Sequence, residues 1–405
     1  MPLLHKIALA VLVLGLGACA GTTSTPAATP HASSAAASNS STAALATMPK
    51  AAQFFVGADL SYVNEMQDCG AEYRLKGVAY DPYLLFAGAK TNLVRVRLWH
   101  NPDWTHYGNF QDVSKTIRRA KAAGMQVLLD LHYSDTWADP EKQFIPKAWE
   151  PLIADTPALG QALYDYTHNV LTDLAADNLL PDMIQIGNET NSEILQLESA
   201  MHTDNINWTR NAFLLNKGLQ AVADFNRAHT TQIKRLLHIA QPENALWWFK
   251  QAKTAGLVDF DMIGLSYYPQ WSSYDVNSVG QAIAELKRSY GKDVMIVETA
   301  YPWTLENFDK ADNVLGKNAL VPGYAATPEG QYDYLMQLSR QVINAGGAGV
   351  IYWEPAWVST SCSTLWGQGS HWENASFFYP PSGNDALKAI TFFKDALSLY
   401  QDSSN

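Results

Sequence analysis

The chain contains Met183-Ile-Gln-Ile-Gly-Asn-Glu189 and Val294-Met-Ile-Val-Glu298, two short apolar runs that each end in a glutamate. Runs of four to eight residues rich in Ile, Val and Leu are typical of buried β-strands. Six further runs of this kind follow one another along the chain. The eight predicted strands are 54–59, 92–99, 126–132, 183–188, 235–240, 262–268, 294–298 and 349–353.

Longer segments with helical spacing of Leu, Ile, Val and Ala separate these strands, among them 111–123, 157–177 and 330–345. Glycines stand where such helices would have to stop, at Gly124, Gly291 and the Gly346-Gly347 pair. Eight alternating strand and helix units predict an α/β fold, a (β/α)8 TIM barrel that forms a single domain over 51–405. An open doubly wound sheet is the alternative.

The predicted strands end in polar and aromatic residues. A parallel barrel gathers the carboxyl ends of its strands at one rim, and active sites lie there. We therefore expect the residues at these ends to lie close together. The ends are Asp59, Trp99-His100, Asp130-Leu-His132-Tyr133, Asn188-Glu189, Gln241-Pro-Glu243, Ser266-Tyr-Tyr268, Glu298 and Trp353-Glu354.

Glu189 and Glu298 form a candidate catalytic pair at this rim. Hydrolysis of a glycosidic bond uses one carboxylic acid that protonates the leaving oxygen and one carboxylate that meets the sugar from the opposite face. Two unrelated glutamates that merely end strands are the alternative.

Three neighbours would support this chemistry. Asn188 is placed to bind a sugar hydroxyl beside Glu189. Arg95 and Arg97 share one face of their strand by the two-residue period. A buried cation needs an anion, so we expect one arginine, Arg95, to pair with Glu298 and keep it ionised as a nucleophile, while the charge of Glu298 raises the pKa of Glu189. We expect Arg97 either to assist or only to brace the barrel.

Three further strand-end side chains are candidates. Tyr268 is predicted to donate a hydrogen bond to Glu298, whereas Tyr267 points to the opposite face and packs. His132 either supports the site or is a structural histidine. Trp353 is predicted to form a flat surface beneath the sugar ring.

The N-terminus predicts export. Residues 1–18 carry Lys6 and then an apolar run, the order of a secretory signal. The run ends in Leu16-Gly-Ala-Cys19, which resembles a bacterial lipoprotein processing box and predicts lipidation of Cys19. An ordinary signal peptide is the alternative. Residues 19–50 are rich in Ala, Ser, Thr and Pro and predict a flexible tether. We expect a protein anchored to the bacterial envelope, at the outer membrane, on its periplasmic or surface face, touching the membrane only through this lipid.

Charge and cysteine content narrow the partners. Lys6 and Lys50 are the only charged residues among the first 50, so residues 51–405 hold 26 basic and 39 acidic side chains, a formal charge of −13. This balance argues against nucleic acid and disfavours polyanionic ligands.

Export and neighbouring barrel loops predict a disulfide between Cys69 and Cys362, with two free thiols as the alternative. No metal-ligand spacing is present, so no metal is expected.

Several longer strings resemble the endo-β-1,4-galactanases of glycoside hydrolase family 53, in order from about residue 54 to about residue 380. They are His132-Tyr-Ser-Asp-Thr-Trp-Ala-Asp-Pro140, Gln185-Ile-Gly-Asn-Glu-Thr-Asn191, Ser266-Tyr-Tyr-Pro-Gln-Trp271, Val297-Glu-Thr-Ala-Tyr301 and Tyr352-Trp-Glu-Pro-Ala-Trp357. The resemblance implies endo-hydrolysis of β-1,4-galactan with retention of anomeric configuration, Glu189 as acid/base and Glu298 as nucleophile.

The resemblance also implies a groove lined by aromatic and polar residues that binds galactan and galacto-oligosaccharides. The candidates are Trp353, Asp59, Trp99, Asp135, Trp137, Trp303 and Trp357. Some bacterial members carry calcium after the eighth strand, but Glu373 is the one acid in 356–380, so we expect neither calcium nor another cofactor. We expect a monomer.

Two other functions stay open at this stage. A β-mannanase, xylanase or endoglucanase would use the same two acids and would differ in the contacts to the sugar ring. A lipid-tethered protein that binds oligosaccharides without cutting them would have no use for a nucleophile, which argues against it.

Overall fold

The structure is a computed structural model that describes residues 51–257 and 259–403. The predicted signal peptide 1–18, the tether 19–50 and the lipidation site Cys19 lie outside the described residues. The domain limits therefore stay a prediction.

Eight parallel strands form a closed barrel, as predicted from the alternation of runs, and the open sheet is wrong. In chain order the strands are β1 (Phe55–Asp59), β2 (Leu93–Leu98), β3 (Gln126–Leu131), β4 (Met183–Ile186), β5 (Lys234–Ala240), β6 (Met262–Ser266), β7 (Asp293–Glu298) and β8 (Gly349–Tyr352). Each strand pairs with the next, and β8 closes the barrel on β1 with Phe55 opposite Gly349.

Nine α-helices lie in the described part of the chain. They are α1 (Val63–Asp68), α2 (Pro82–Gly88), α3 (Phe110–Ala122), α4 (Thr156–Ala176), α5 (Trp208–His229), α6 (Pro242–Thr254), α7 (Val279–Tyr290), α8 (Pro328–Asn344) and α9 (Phe392–Asp402). The three predicted helices match α3, α4 and α8 to within two residues. Side chains cap several starts; Asn109, for example, accepts hydrogen bonds from two amides at the start of α3.

Short elements decorate the loops. Single-turn 3₁₀ helices span Lys147–Leu152, Glu198–Ala200, Pro269–Trp271, Lys317–Ala319, Glu373–Ala375, Pro380–Ser382 and Lys388–Thr391. A four-stranded sheet joins Tyr73–Leu75, Val78–Tyr80, Phe378–Tyr379 and Asp385–Ala386, and a hairpin pairs Ser363–Thr364 with Gly367–Gln368. No helix among the described residues is both long enough and apolar enough to span a bilayer.

The barrel interior changes from apolar to polar along the strands. A buried apolar cluster near the amino ends takes at least one residue from every strand, including Leu93, Leu128, Met183 and Leu236. Because successive inward positions are two residues apart, the next inward layer on β2 to β5 consists of Arg95, Asp130, Gln185 and His238, each at most 1% exposed. The apolar layer therefore forms a closed floor, and the polar layer above it faces the carboxyl rim.

The loops after β1 and β8 are joined by a disulfide between Cys69 and Cys362, whose Cα atoms lie 5.8 Å apart. The two cysteines are separated by 293 residues in the sequence. The bond links the first and the last loop of the rim, which is the pairing expected from neighbouring barrel loops.

Candidate active site

Glu189 and Glu298 face each other at the carboxyl rim. Glu298 is the last residue of β7, and Glu189 lies three residues beyond β4. One carboxylate oxygen of Glu189 lies within 4.8 Å of one of Glu298. Retaining glycosidases separate their two carboxyl groups by about 5–5.5 Å, and inverting enzymes by about 6.5–9.5 Å. The observed separation fits the retaining geometry.

A tight turn brings Glu189 to this place. Gly187 has φ +83°, and a Cβ added there would lie 2.5 Å from the Thr190 side chain. Glycine is therefore needed at that position. Glu189 itself adopts a left-handed φ of +43°, which is uncommon for a residue with a side chain and is typical of functional positions.

Arg95 pairs with Glu298, as expected from the two-residue period on β2. A guanidinium nitrogen lies 2.8 Å from Glu298 Oε1, and the same group contacts Asp59 at 2.7 Å and Asp130 at 2.8 Å. The Arg95 side chain is 1% exposed. One buried cation therefore serves three carboxylates, so the cluster is rich in negative charge.

Burial and like charge set the titration of the two acids. Burial raises the pKa of Glu189 well above its usual value, and the charge of Glu298 raises it further. Burial also raises the pKa of Glu298, but Arg95 opposes this increase. The two groups titrate as a pair, and the contact with Arg95 favours the state in which Glu298 is ionised and Glu189 holds the proton.

Asn188 is fixed beside the pair. Its side-chain oxygen accepts a hydrogen bond of 2.8 Å from Arg95, and its amide donates one of 2.8 Å to the Ala138 carbonyl. Gln143 also holds this turn by donating to the backbone carbonyl of Asn188 at 2.9 Å. The position of the residue before the acid is thus set from both sides.

Tyr268 is buried close to both acids, whose charges, after burial itself, raise the pKa of its phenol well above the usual range. Its ring packs edge-on against Trp271 at 5.2 Å. Among the described residues its hydroxyl makes no hydrogen bond to Glu298. The predicted bond is therefore absent from this structure, although Tyr268 lies in the predicted place.

Arg97 lies in a cage of aromatic rings instead of reaching the two acids. Its guanidinium carbon is 4.2 to 4.7 Å from the ring centres of Tyr62, Trp99 and Trp137. A nitrogen of the same group lies 2.8 Å from Glu354. Arg97 was expected either to assist the chemistry or only to brace the barrel. These contacts fit the bracing role.

His132 also acts one step away from the acids. Its Nε2 lies 3.0 Å from Asp130, which in turn contacts Arg95. Its Nδ1 accepts a hydrogen bond of 3.1 Å from the Ala138 amide. His132 thus holds the partner of Arg95 and the loop after β3.

Four partly exposed tryptophans contact one another in the loops at the carboxyl rim. The ring centres of Trp137 and Trp353 lie 6.0 Å apart, and Trp366 lies 6.3 Å from Trp137. Trp104 packs against Trp366 at 5.3 Å. Trp137 and Trp353 were predicted to bind sugar, whereas Trp104 and Trp366 were not predicted. Trp366 lies four residues beyond Cys362, so the predicted disulfide was a usable signal that this loop lies against the rim.

The other predicted substrate contacts are buried or already hydrogen-bonded, and their role in sugar binding stays a prediction. Asp59 and Trp99 are each 1% exposed, and the oxygens of Asp59 bind Arg95 and Ser61. Trp303 and Trp357 are 5% and 4% exposed. They stack on Phe308 and Tyr62, respectively. Asp135 accepts hydrogen bonds from the backbone amides of Asn101 and Lys147. These contacts hold the loops in place, and of the five side chains only Asp135, at 25% exposure, keeps substantial free surface.

Two further residues support Glu189: Ser266, which was expected at the rim but given no role, and His238, which was not predicted. Ser266, at the end of β6, donates its hydroxyl to Glu189 Oε1. His238 of β5 places its Nε2 2.8 Å from the Ser266 oxygen. The sequence did contain a signal for His238. It lies two residues after Leu236 on β5, and side chains two residues apart in a strand point to the same face.

Comparison with known proteins agrees with this geometry. Residues 55–393 match the profile of Glycosyl hydrolase family 53. The chain belongs to this family. It is 62% identical over 341 residues to an arabinogalactan endo-β-1,4-galactanase of Cellvibrio japonicus, covering 84% of this chain and 90% of that protein. The predicted family resemblance is confirmed.

Solved family 53 structures share the fold. The family 53 catalytic domain of Ignisphaera aggregans has a TM-score of 0.76 and 30% identity, covering 86% of this chain and 98% of that one. A structure from a study of two fungal β-1,4-galactanases has a TM-score of 0.71 and 29% identity, covering 85% and 99%.

One group of metal-ligand atoms occurs within the described ranges of this family 53 chain. Glu189, Glu298 and His238 each offer one ligand atom, all within 4.8 Å of one another. Arg95 already places a positive charge against Glu298, and Ser266 and His238 are hydrogen-bonded to each other. These contacts fit acid/base chemistry. The expectation that the loop after β8 binds no calcium stays a prediction.

Proposed function

We propose that this chain is an endo-β-1,4-galactanase that cleaves type I arabinogalactan by a retaining double displacement, with Glu189 as acid/base and Glu298 as nucleophile. The observation that carries the proposal is the separation of at most 4.8 Å between carboxylate oxygens of Glu189 and Glu298. Retaining enzymes hold their carboxyl groups about 5–5.5 Å apart, whereas inverting enzymes separate them by about 6.5–9.5 Å to leave room for a water, so the upper limit favours retention.

In the first step Glu298 attacks the anomeric carbon and the bond from that carbon to the glycosidic oxygen breaks. Glu189 gives its proton to the leaving oxygen. Arg95, 2.8 Å from Glu298, keeps the nucleophile ionised before the attack. Asn188, which Arg95 and the Ala138 carbonyl hold beside Glu189, is the proposed contact for a hydroxyl of the same sugar.

In the second step water attacks the anomeric carbon, gives a proton to Glu189, and releases Glu298 as a carboxylate. While Glu298 is esterified it carries no charge. The like-charge contribution that raised the pKa of Glu189 is then absent. Glu189 therefore ionises more readily in the intermediate and is able to act as the base.

We propose galactan as the substrate, and not another polysaccharide, because two similar proteins are named for activity on it. The Cellvibrio japonicus protein at 62% identity is named for arabinogalactan, and the fungal structure is named for β-1,4-galactan. A neutral polymer also fits the formal charge of −13 over residues 51–405.

The test is reducing-end release by the purified protein on β-1,4-galactan, with mannan, xylan and cellulose as controls. We expect release from galactan alone, with the β-anomer as the first product by NMR. Faster cleavage of another polymer would overturn the substrate, and a first product with inverted configuration would overturn the mechanism. Binding of galactan without any release would favour a carbohydrate-binding protein.

We further propose that the enzyme works as an exported monomer tethered through a lipid on Cys19. The support is the order of the N-terminal sequence, with Lys6, the apolar run and Leu16-Gly-Ala-Cys19. A disulfide between Cys69 and Cys362 also fits an oxidising compartment.

A further inference from the structure

His238 and Ser266 form a hydrogen-bonded chain that ends on Glu189. His238 is fully buried inside the barrel, as is Ser266. The His238 Nε2 lies 2.8 Å from Ser266 Oγ. The hydroxyl of Ser266 donates to Glu189 Oε1.

The surroundings of the imidazole decide which nitrogen carries its proton. The backbone amide of Glu189 donates to Nδ1 at 3.4 Å, and the Gln185 side-chain amide lies 3.0 Å from the same nitrogen. Ser266 has one hydroxyl proton and donates it to Glu189 Oε1, so its oxygen accepts a hydrogen bond from His238 Nε2. The imidazole proton therefore lies on Nε2, and Nδ1 is the acceptor. The Asn188 oxygen lies 3.0 Å from Nδ1, but its two lone pairs face other donors, Arg95 at 2.8 Å and the Gln185 amide at 3.1 Å.

The imidazole stays neutral. Burial lowers the pKa of His238 well below its usual value, and the positive charge of Arg95 lowers it further. A neutral His238 with its proton on Nε2 donates to Ser266 Oγ. The Ser266 hydroxyl proton is then directed to Glu189.

The two oxygens of Glu189 therefore differ. Oε1 is occupied as an acceptor from Ser266. Oε2 makes no hydrogen bond to any part of the chain that the structure describes. A proton on Glu189 belongs on Oε2, since Oε1 already faces a donor.

We propose that His238 and Ser266 are positioning residues that reserve Oε1 as an acceptor, so that Oε2 carries the proton exchanged with the leaving group and with water. This inference rests on the proposed acid/base role of Glu189. The donated hydrogen bond favours the carboxylate, and it opposes the effects of burial and of Glu298 on Glu189. This hydrogen bond helps the second step most, because Glu189 acts as a base there and must be ionised.

The test is the pH profile of kcat/KM on galactan for Ser266→Ala. The basic limb reports loss of the proton from the acid. A hydrogen bond to a charged group contributes enough to shift a pKa by about one unit, so this limb is expected to move up by about that amount. Ser339→Ala is the matched control, because Ser339 is a fully buried serine in α8 without a hydrogen-bond partner for its hydroxyl among the described residues. The control is expected to keep the wild-type limb.

A second pair of variants tests the histidine. His238→Gln keeps an amide donor near the position of Nε2, whereas His238→Asn is too short to supply it. We expect His238→Asn to shift the basic limb of the pH profile to higher pH, and His238→Gln to leave it at the wild-type pH. This pair also serves if Ser266→Ala fails to fold, since both variants keep the serine.

A third readout follows the intermediate. On an activated aryl galactoside the first step needs little acid assistance, so Ser266→Ala should accumulate glycosylated enzyme that mass spectrometry detects. An active wild-type enzyme whose Ser266→Ala and His238→Asn variants keep the wild-type basic limb would overturn the positioning role. A wild-type enzyme that leaves galactan intact would instead overturn the proposed function.

Discussion

Arg97 and Glu354 form an ion pair of 2.8 Å inside the barrel, with side chains 2% and 0% exposed. Glu354 directly follows Trp353, and the rings around Arg97 include Trp137. The pair therefore connects Trp137 and Trp353, whose rings lie 6.0 Å apart at the rim. It lies next to the catalytic cluster around Arg95 but shares neither Glu189 nor Glu298.

Glu354→Gln should destabilise the fold by about 3 kcal/mol, because the change leaves a buried guanidinium without its counter-charge. Denaturant unfolding measures the loss. Arg118→Ala breaks an exposed pair with Asp177, in which both side chains are 58% exposed, and should cost less than about 0.5 kcal/mol. Equal losses in the two variants would contradict the importance of the buried pair.

Glu298→Ala should reduce kcat on galactan by at least about 10⁴-fold, because it removes the nucleophile. Binding of galacto-oligosaccharides, measured by calorimetry, should largely persist because the tryptophan surface is unchanged. A variant with substantial turnover would refute the assignment.

Glu189→Ala should lose activity on galactan but keep cleaving substrates with a good leaving group, which need no proton donor. Azide should accelerate that reaction and give a β-galactosyl azide, because it replaces the base-activated water. Absence of both rescue effects would count against the acid/base role.

The free energy of unfolding should fall as the pH rises from about 5 to 7. Burial raises the pKa of Glu373 to about 7 from an ordinary value of 4.5. Within this window the unfolded chain loses the proton while the folded chain keeps it, so rising pH favours unfolding. Glu373→Gln should remove about 2 kcal/mol of this fall between about pH 5 and 7. Glu329→Gln, at an exposed position, is the control, and an equal effect there would contradict the prediction.

Cys19→Ala should release the protein from the membrane fraction of the cells that produce it, because the lipid would be its only attachment. Fractionation followed by immunoblotting measures this. A variant that stays with the membranes would show that the anchor lies elsewhere.

The barrel was predictable because each strand is a short apolar run, and segments with helical spacing separate these runs along the chain. The contact between Arg95 and Glu298 followed from the period on β2 and from the need of a buried cation for an anion. Both inferences use the spacing of residues within a single strand or helix. They also use the rule that the carboxyl ends of the strands of a parallel barrel meet at one rim.

Loop contacts were not predictable in the same way. Trp303 and Trp357 lie in segments that fold inward, and only the packing against Phe308 and Tyr62 decides that their rings are buried. The contact between His238 and Ser266 depends on two strands at a defined register. The sequence placed Ser266 at a strand end, but it did not show that a histidine from the neighbouring strand would contact it.

The bond between Cys69 and Cys362 bridges the barrel from its first loop to its last. A protease that nicks an exposed loop anywhere between these two positions produces two fragments that remain covalently connected. The cut enzyme would migrate as one species without reductant and as two with it, so a single cleavage in a protease-rich environment need not release either part of the catalytic cleft.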